Sequence, residues 1–94
     1  MEDANDEYGK RRVVLLSQLT PGQSGTIVRV GGHAAARRRL LEMGLVRGET
    51  IRVERVAPLG DPIEFQIKGY HLSLRRQDAA KIEIYISTNG HTKL

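Results

Sequence analysis

Residues 37–48 read RRRLLEMGLVRG, and the succession of helix, stop and strand entry that this run implies organises the rest of the chain. Ala36, Leu40 and Met43 stand at i, i+4 and i+7, on one face of a helix, while Arg37, Arg38 and Arg39 spread over the remainder. Gly44 follows the last periodic residue and can take the left-handed conformation that closes a helix. With Gly44 at C′, Leu40 is C3 and Leu45 is C″, two positions that touch across such a stop. Gly48 then turns the chain again before the alternation that begins at Thr50. Three consecutive arginines exceed what solubility needs, so the helix is also a candidate contact surface.

Downstream, Ile51 and Val53 alternate inward, but Val56 is out of phase with them, which calls for a bulge near Glu54 and Arg55. The run APLGDP at 57–62 forces a loop. Ile63, Phe65 and Ile67, then Tyr70, Leu72 and Leu74, predict a hairpin about Lys68 and Gly69, with those six residues inward. A two-residue loop pairs Phe65 with Leu72 on the buried face and Gln66 with His71 on the wet one. Residues 75–80 predict one helical turn, and Ile82, Ile84 and Ile86 a last strand.

Upstream, residues 26–30 predict a strand with Thr26, Val28 and Val30 on one face and Ile27 and Arg29 on the other. Thr20, Pro21 and Gly22 make a turn. Leu15, Leu16 and Leu19 are spaced for a single helical turn that docks on the body. The organisation expected is a flexible arm at 1–12, one folded domain at 13–86 and a flexible tail at 87–94. Five short strands, one α-helix and two single-turn pieces must curl to hide their aliphatic face. The fold class is therefore mainly β, a small, partly open antiparallel barrel with the helix over one end.

Ninety-four residues with one Phe, three Tyr and no Trp build one aliphatic core, since a chain of this size buries roughly 60% of its unfolded surface. Four acids, Glu2, Asp3, Asp6 and Glu7, precede Lys10; from there on fifteen Lys and Arg face seven Asp and Glu. A body of net charge +8 suits an acidic partner. There is no Cys, no apolar run of the ~18 residues a spanning helix needs, and no secretory signal, so a cytoplasmic protein without direct membrane insertion is expected.

The chemistry motifs are mostly absent. No GxxxxGK[ST] or GxGxxG occurs, the glycines at 22, 25, 31 and 32 serve turns, and Ser73 lies two strand positions from His71, too far for a nucleophile and base. No enzyme is expected. His33 and His71 are weak metal candidates, with Glu42 or Glu64 as the carboxylate, so no cofactor is expected beyond weak binding of ferrous iron or another divalent transition metal. Arg37, Arg38, Arg39, Arg75 and Arg76 are the stronger lead, because Arg forks pair with carboxylates and phosphates. Few outward aromatics accompany them, so nucleic acid is not the expected partner.

The run LLEMGLVRGETIRVERVAPLGDPIEFQIKGYHLSLRRQDAAKIEI, from Leu40 to Ile84, together with the preceding LSQLTPGQSGTIVRV, resembles the ferrous iron transport accessory protein A (FeoA) family. The helix stop MGLVRG, the loop APLGDP and the segment GYHLSLRR, in that order, carry the resemblance. It implies an SH3-like barrel and an accessory protein of ferrous iron uptake. With the basic surface, the expectation is a protein that docks on the cytoplasmic GTP-binding domain of the membrane ferrous-iron transporter, peripheral at the inner face of the membrane, and modulates its activity. The five arginines are then partner contacts by charge, with Leu40, Met43, Gly44, Leu45 and Gly48 holding the helix in place. A stand-alone metal-responsive module and a nucleic-acid-binding barrel are the alternatives, and self-association into a homo-oligomer stays open.

Overall fold

Val53 and Val56 cannot share one face of a regular strand, because side chains alternate and the interval between them is odd. In the computed structural model, which describes residues 11–87, a bulge resolves the conflict. Strand β3 (Thr50–Val56) pairs antiparallel with β4 (Ile63–Ile67) so that Val53 faces Phe65 but Arg55 faces Glu64, leaving Glu54 as the extra residue. Val56 thereby returns to pack against the core, and the strand bends.

A second bulge does the same work in β2 (Ser24–Val30), which pairs with β6 (Ile82–Ser87). The register shifts between Ile27 and Arg29, so Val28 is the extra residue. This corrects the simple alternation expected for 26–30: Ile27 and Val30 are both buried, at 0% and 5% exposure, and do not lie on opposite faces. Gly25 is corrected too. It serves no turn, but sits within β2 against the side chains of Ile84 and Ile86, where a Cβ has no room.

The hairpin forms as expected, with β5 (Tyr70–Leu74) placing Leu72 opposite Phe65 and His71 opposite Gln66. Lys68 and Gly69 both take positive φ, as tight hairpin loops demand. Leu74 is buried and Leu72 half-buried, but Tyr70 is 40% exposed and not inward, because its hydroxyl reaches out to a helix end.

The segment 13–19 also departs from expectation. It begins as a strand, β1 (Arg11–Leu15), paired along β6, and only then tightens into a 3-10 turn (Leu16–Gln18), where Gln18 Oε1 accepts from the Leu15 N–H at 2.7 Å. The β-branched pair Val13 and Val14 favours extension, and β6 offers a free ladder. Arg11 and Arg12 therefore belong to β1 and not to the arm, and Ser87 closes β6 and does not open the tail. The rest of the expected arm and tail lie outside the described residues.

The six strands described run β1-β6-β2-β3-β4-β5, antiparallel throughout. With the sheet coiled by two bulges and β1 and β5 at its edges, the architecture is a partly open barrel around Phe65, Ile27, Ile51, Ile84 and Leu16, all fully buried. The helix α1 (Ala34–Glu42) follows β2, and a single turn, α2 (Arg76–Ala79), follows β5.

Candidate docking surface

The helix stop comes first, because it sets where the arginines stand. Gly44 takes φ 97°, its N–H donates to Leu41 O at 2.9 Å, and the Leu45 N–H donates to Leu40 O at 3.2 Å. These are the two bonds of a Schellman closure. Leu40 and Leu45 are buried at 1% and 0% exposure, and Met43 packs on the core from the rim. Tyr70 Oη donates to the Met43 carbonyl and covers the closure from outside. Gly48, at φ 94°, donates to Ile27 O at 2.8 Å and hands the chain to β3.

The five candidate arginines divide. Arg37 Nε donates to Val30 O at 2.9 Å, which fastens the first turn of α1 to the end of β2. Arg39 approaches Asp78 at 3.5 Å, and Lys81 reaches the same carboxylate at 3.2 Å; that pairing satisfies Asp78, which is only 9% exposed, and joins α1 to α2. Arg76 is an internal strut. Its Nε donates to Gly60 O and its Nη1 to Ser17 O, each at 2.9 Å, and its backbone N–H donates to Asp61 Oδ1 at 2.8 Å. Arg38 and Arg75 are exposed, and the guanidinium of neither has a hydrogen bond or ion pair among the described residues. The ion pair between Arg39 and Asp78 places these two free cations on joined elements.

Sequence reasoning passed over Arg47 and Arg52, which are equally exposed and unpaired among the described residues. Arg52 was legible as an outward position between Ile51 and Val53, but it stands outside any cluster. It lines a shallow groove of about 310 Å³ with Ser24, Thr50, Gln66 and Lys68. The fully exposed Leu59 was missed as well, because a loop signal says nothing about which side chain the loop presents.

The two histidines among the described residues, His33 and His71, share no metal cluster. His33 is the exposed N-cap residue of α1 and makes no capping bond with its side chain. His71 Nδ1 lies 2.7 Å from Glu54 Oε1 on the outer face, so the bulge brings it Glu54 and not the expected Glu64. Glu64 instead accepts from Arg55 Nε at 2.9 Å; that hydrogen bond, and then the carboxylate's charge, hold the exposed Arg55 guanidinium above its ordinary value. No three His, Asp or Glu side chains gather as a metal site among the described residues.

Residues 14–86 match the family model of the FeoA domain. The chain belongs to the FeoA family. It is 49% identical over 77 residues to the Fe(2+) transport protein A/Fe(2+) transporter FeoB fusion protein of Porphyromonas gingivalis, covering 82% of this chain and 9% of that much longer one. Among solved structures, the FeoA protein of Chlorobium tepidum matches at a TM-score of 0.73 with 40% identity, over 85% of this chain and 75% of that one. The zinc complex of Stenotrophomonas maltophilia FeoA, described as a procaryotic SH3 domain protein, matches at 0.67 with 28% identity, over 80% and 98%. The FeoA barrel is thus SH3-like, and the chain's family is one of ferrous iron transport. No helix of this FeoA domain, among the described residues, is long and apolar enough to cross a membrane.

Proposed function

We propose that this chain is a cytoplasmic accessory protein of ferrous iron uptake that docks on the cytoplasmic GTP-binding domain of the membrane ferrous-iron transporter and biases its activity. The fusion relative carries the reading: there a domain 49% identical to this one shares a chain with an Fe(2+) transporter. Tethering makes an encounter intramolecular and raises its effective concentration, which is useful only if the two parts meet. A docked adaptor shifts a transporter by preferring one of its states, so nucleotide-dependent affinity is its signature.

Of the five candidate arginines, Arg38 and Arg75 are the contacts assigned to this surface, because their guanidinium groups alone among the five are exposed with no partner among the described residues. Arg37, Arg39 and Arg76 hold the fold. The test is retention of the detergent-solubilised transporter on the immobilised chain, with GTP and GDP analogues. Retention that depends on the nucleotide, and that weakens about tenfold or more in the R38E/R75E variant at low salt, is expected. Equal retention of the variant refutes the arginine contacts, and no retention in any nucleotide state refutes docking itself.

A further inference from the structure

Among the described residues, Leu59 stands apart from every other large apolar side chain at 96% exposure; the next, Val13, is at 54%. A lone surface leucine is ordinary. The loop beneath this one is not, because four hydrogen bonds hold it. The Gly60 N–H donates to Ala57 O at 2.7 Å, which closes a turn with Pro58 in the second position, and the Ala57 N–H donates to Pro62 O at 3.0 Å. Arg76 then clamps the far limb, through Nε on Gly60 O and its backbone N–H on Asp61 Oδ1, while Nη1 ties the clamp to Ser17 O on the opposite side of the sequence.

A loop that needed only to connect β3 with β4 could fold its leucine back on the barrel. Here it is fastened at both limbs and its apolar tip is held in water. Order of this kind lowers the entropy lost on binding, which is how a rigid loop becomes a recognition element. Arg75 adjoins the clamp residue Arg76 in the chain, is exposed, and has no partner among the described residues. The loop thus offers one apolar knob, and the residue next to its clamp in the chain is an unpaired cation.

We propose that Leu59 is the apolar anchor of the transporter interface, inserting into a hydrophobic socket on the transporter's cytoplasmic part whose rim carries a carboxylate facing Arg75. The inference rests on the docking reading above. The fusion relative indicates the partner's identity, and the unpaired Arg75 supplies the charge that an acidic rim complements.

Four chains test it against the solubilised transporter: the unaltered protein, L59S, L59M and R75E, each first shown folded by its amide NMR spectrum. Burial of a leucine side chain corresponds to a loss of about 10- to 100-fold in affinity for L59S, insensitive to salt. L59M should retain binding to within about fivefold, and R75E should lose affinity most at low salt. Unaltered chain and L59S binding equally would overturn this proposal while leaving docking intact. No binding by the unaltered chain would overturn both. Self-association of the unaltered chain in sedimentation, abolished in L59S without effect on transporter binding, would assign the knob to a second copy and overturn the proposal as well.

Discussion

Replacing Gly44 with Ala tests the helix stop directly, and its cost can be worked from two separate sources. The first is conformational. At φ 97° an L-residue is strained, and leaving the glycine region costs about 1–2 kcal/mol. The second is steric. A Cβ at Gly44 meets Tyr70 Oη, and that hydroxyl donates to the Met43 carbonyl, so the hydrogen bond must break, for a further loss of about 0.5–1.5 kcal/mol. G44A should therefore destabilise by about 1.5–3.5 kcal/mol in total. Gly48 is the control. Its φ is almost the same, 94°, but nothing lies within 4 Å of a Cβ there, so G48A should show the conformational cost alone, about 1–2 kcal/mol. Tyr70→Phe removes the obstructing hydroxyl and its bond together. G44A in the Y70F background should thus cost about 1 kcal/mol less than in the parent chain. Urea unfolding followed by circular dichroism, with the m-value unchanged, measures the parent chain and all four variants. Equal costs for G44A and G48A, or a cycle additive to within about 0.5 kcal/mol, would refute the reasoning.

Gly25→Ala should destabilise by about 1–3 kcal/mol in thermal or urea melts. Its Cβ would press on the Ile84 side chain and lie 2.8 Å from Ile86 Cγ2 and 2.9 Å from Tyr85 O, and the backbone oxygen cannot move aside. A melt within error of the parent chain would mean that β2 and β6 sit farther apart. Asp78→Ala should cost about 0.5–2 kcal/mol, because it removes the shared partner of Arg39 and Lys81, and the cost should shrink when both cations are first changed to Ala. An undiminished cost in that background would place the role of Asp78 elsewhere.

The parts of the fold that were legible in the sequence are those written within a few residues of one another. Leu40, Gly44 and Leu45 lie inside one helix stop, and their closure follows from spacing alone. The hairpin register follows from two alternating runs and the pair Lys68 and Gly69. The bulge at Glu54 was legible because Val56 is visibly out of phase with Ile51 and Val53. The bulge at Val28 was not, since residues 26–30 carry a passable alternation by themselves. Only the neighbouring β6, with Ile82 and Ile84 demanding to be covered, selects the register that buries Ile27 and Val30 together. Residues 13–19 divide in the same way: Val13 to Leu15 yield to the open edge of β6, while Leu16 and Leu19 dock about the single turn that their spacing implies.

For the docking surface the division is sharper. Composition and the runs RRR and RR announced a basic protein, and the sequence alone determined the family, the aliphatic core and the helix stop. Which arginines remain free was decided by the tertiary structure. Arg76 finds Ser17 from 59 positions away in the chain, and Arg39 finds Asp78 across two elements. Leu59 is left in water because the loop beneath it is clamped by that same Arg76. Local pattern reports periodicity and turn chemistry, which act between neighbours. Whether a charge is spent or free depends on partners that only the folded chain brings within 3 to 4 Å.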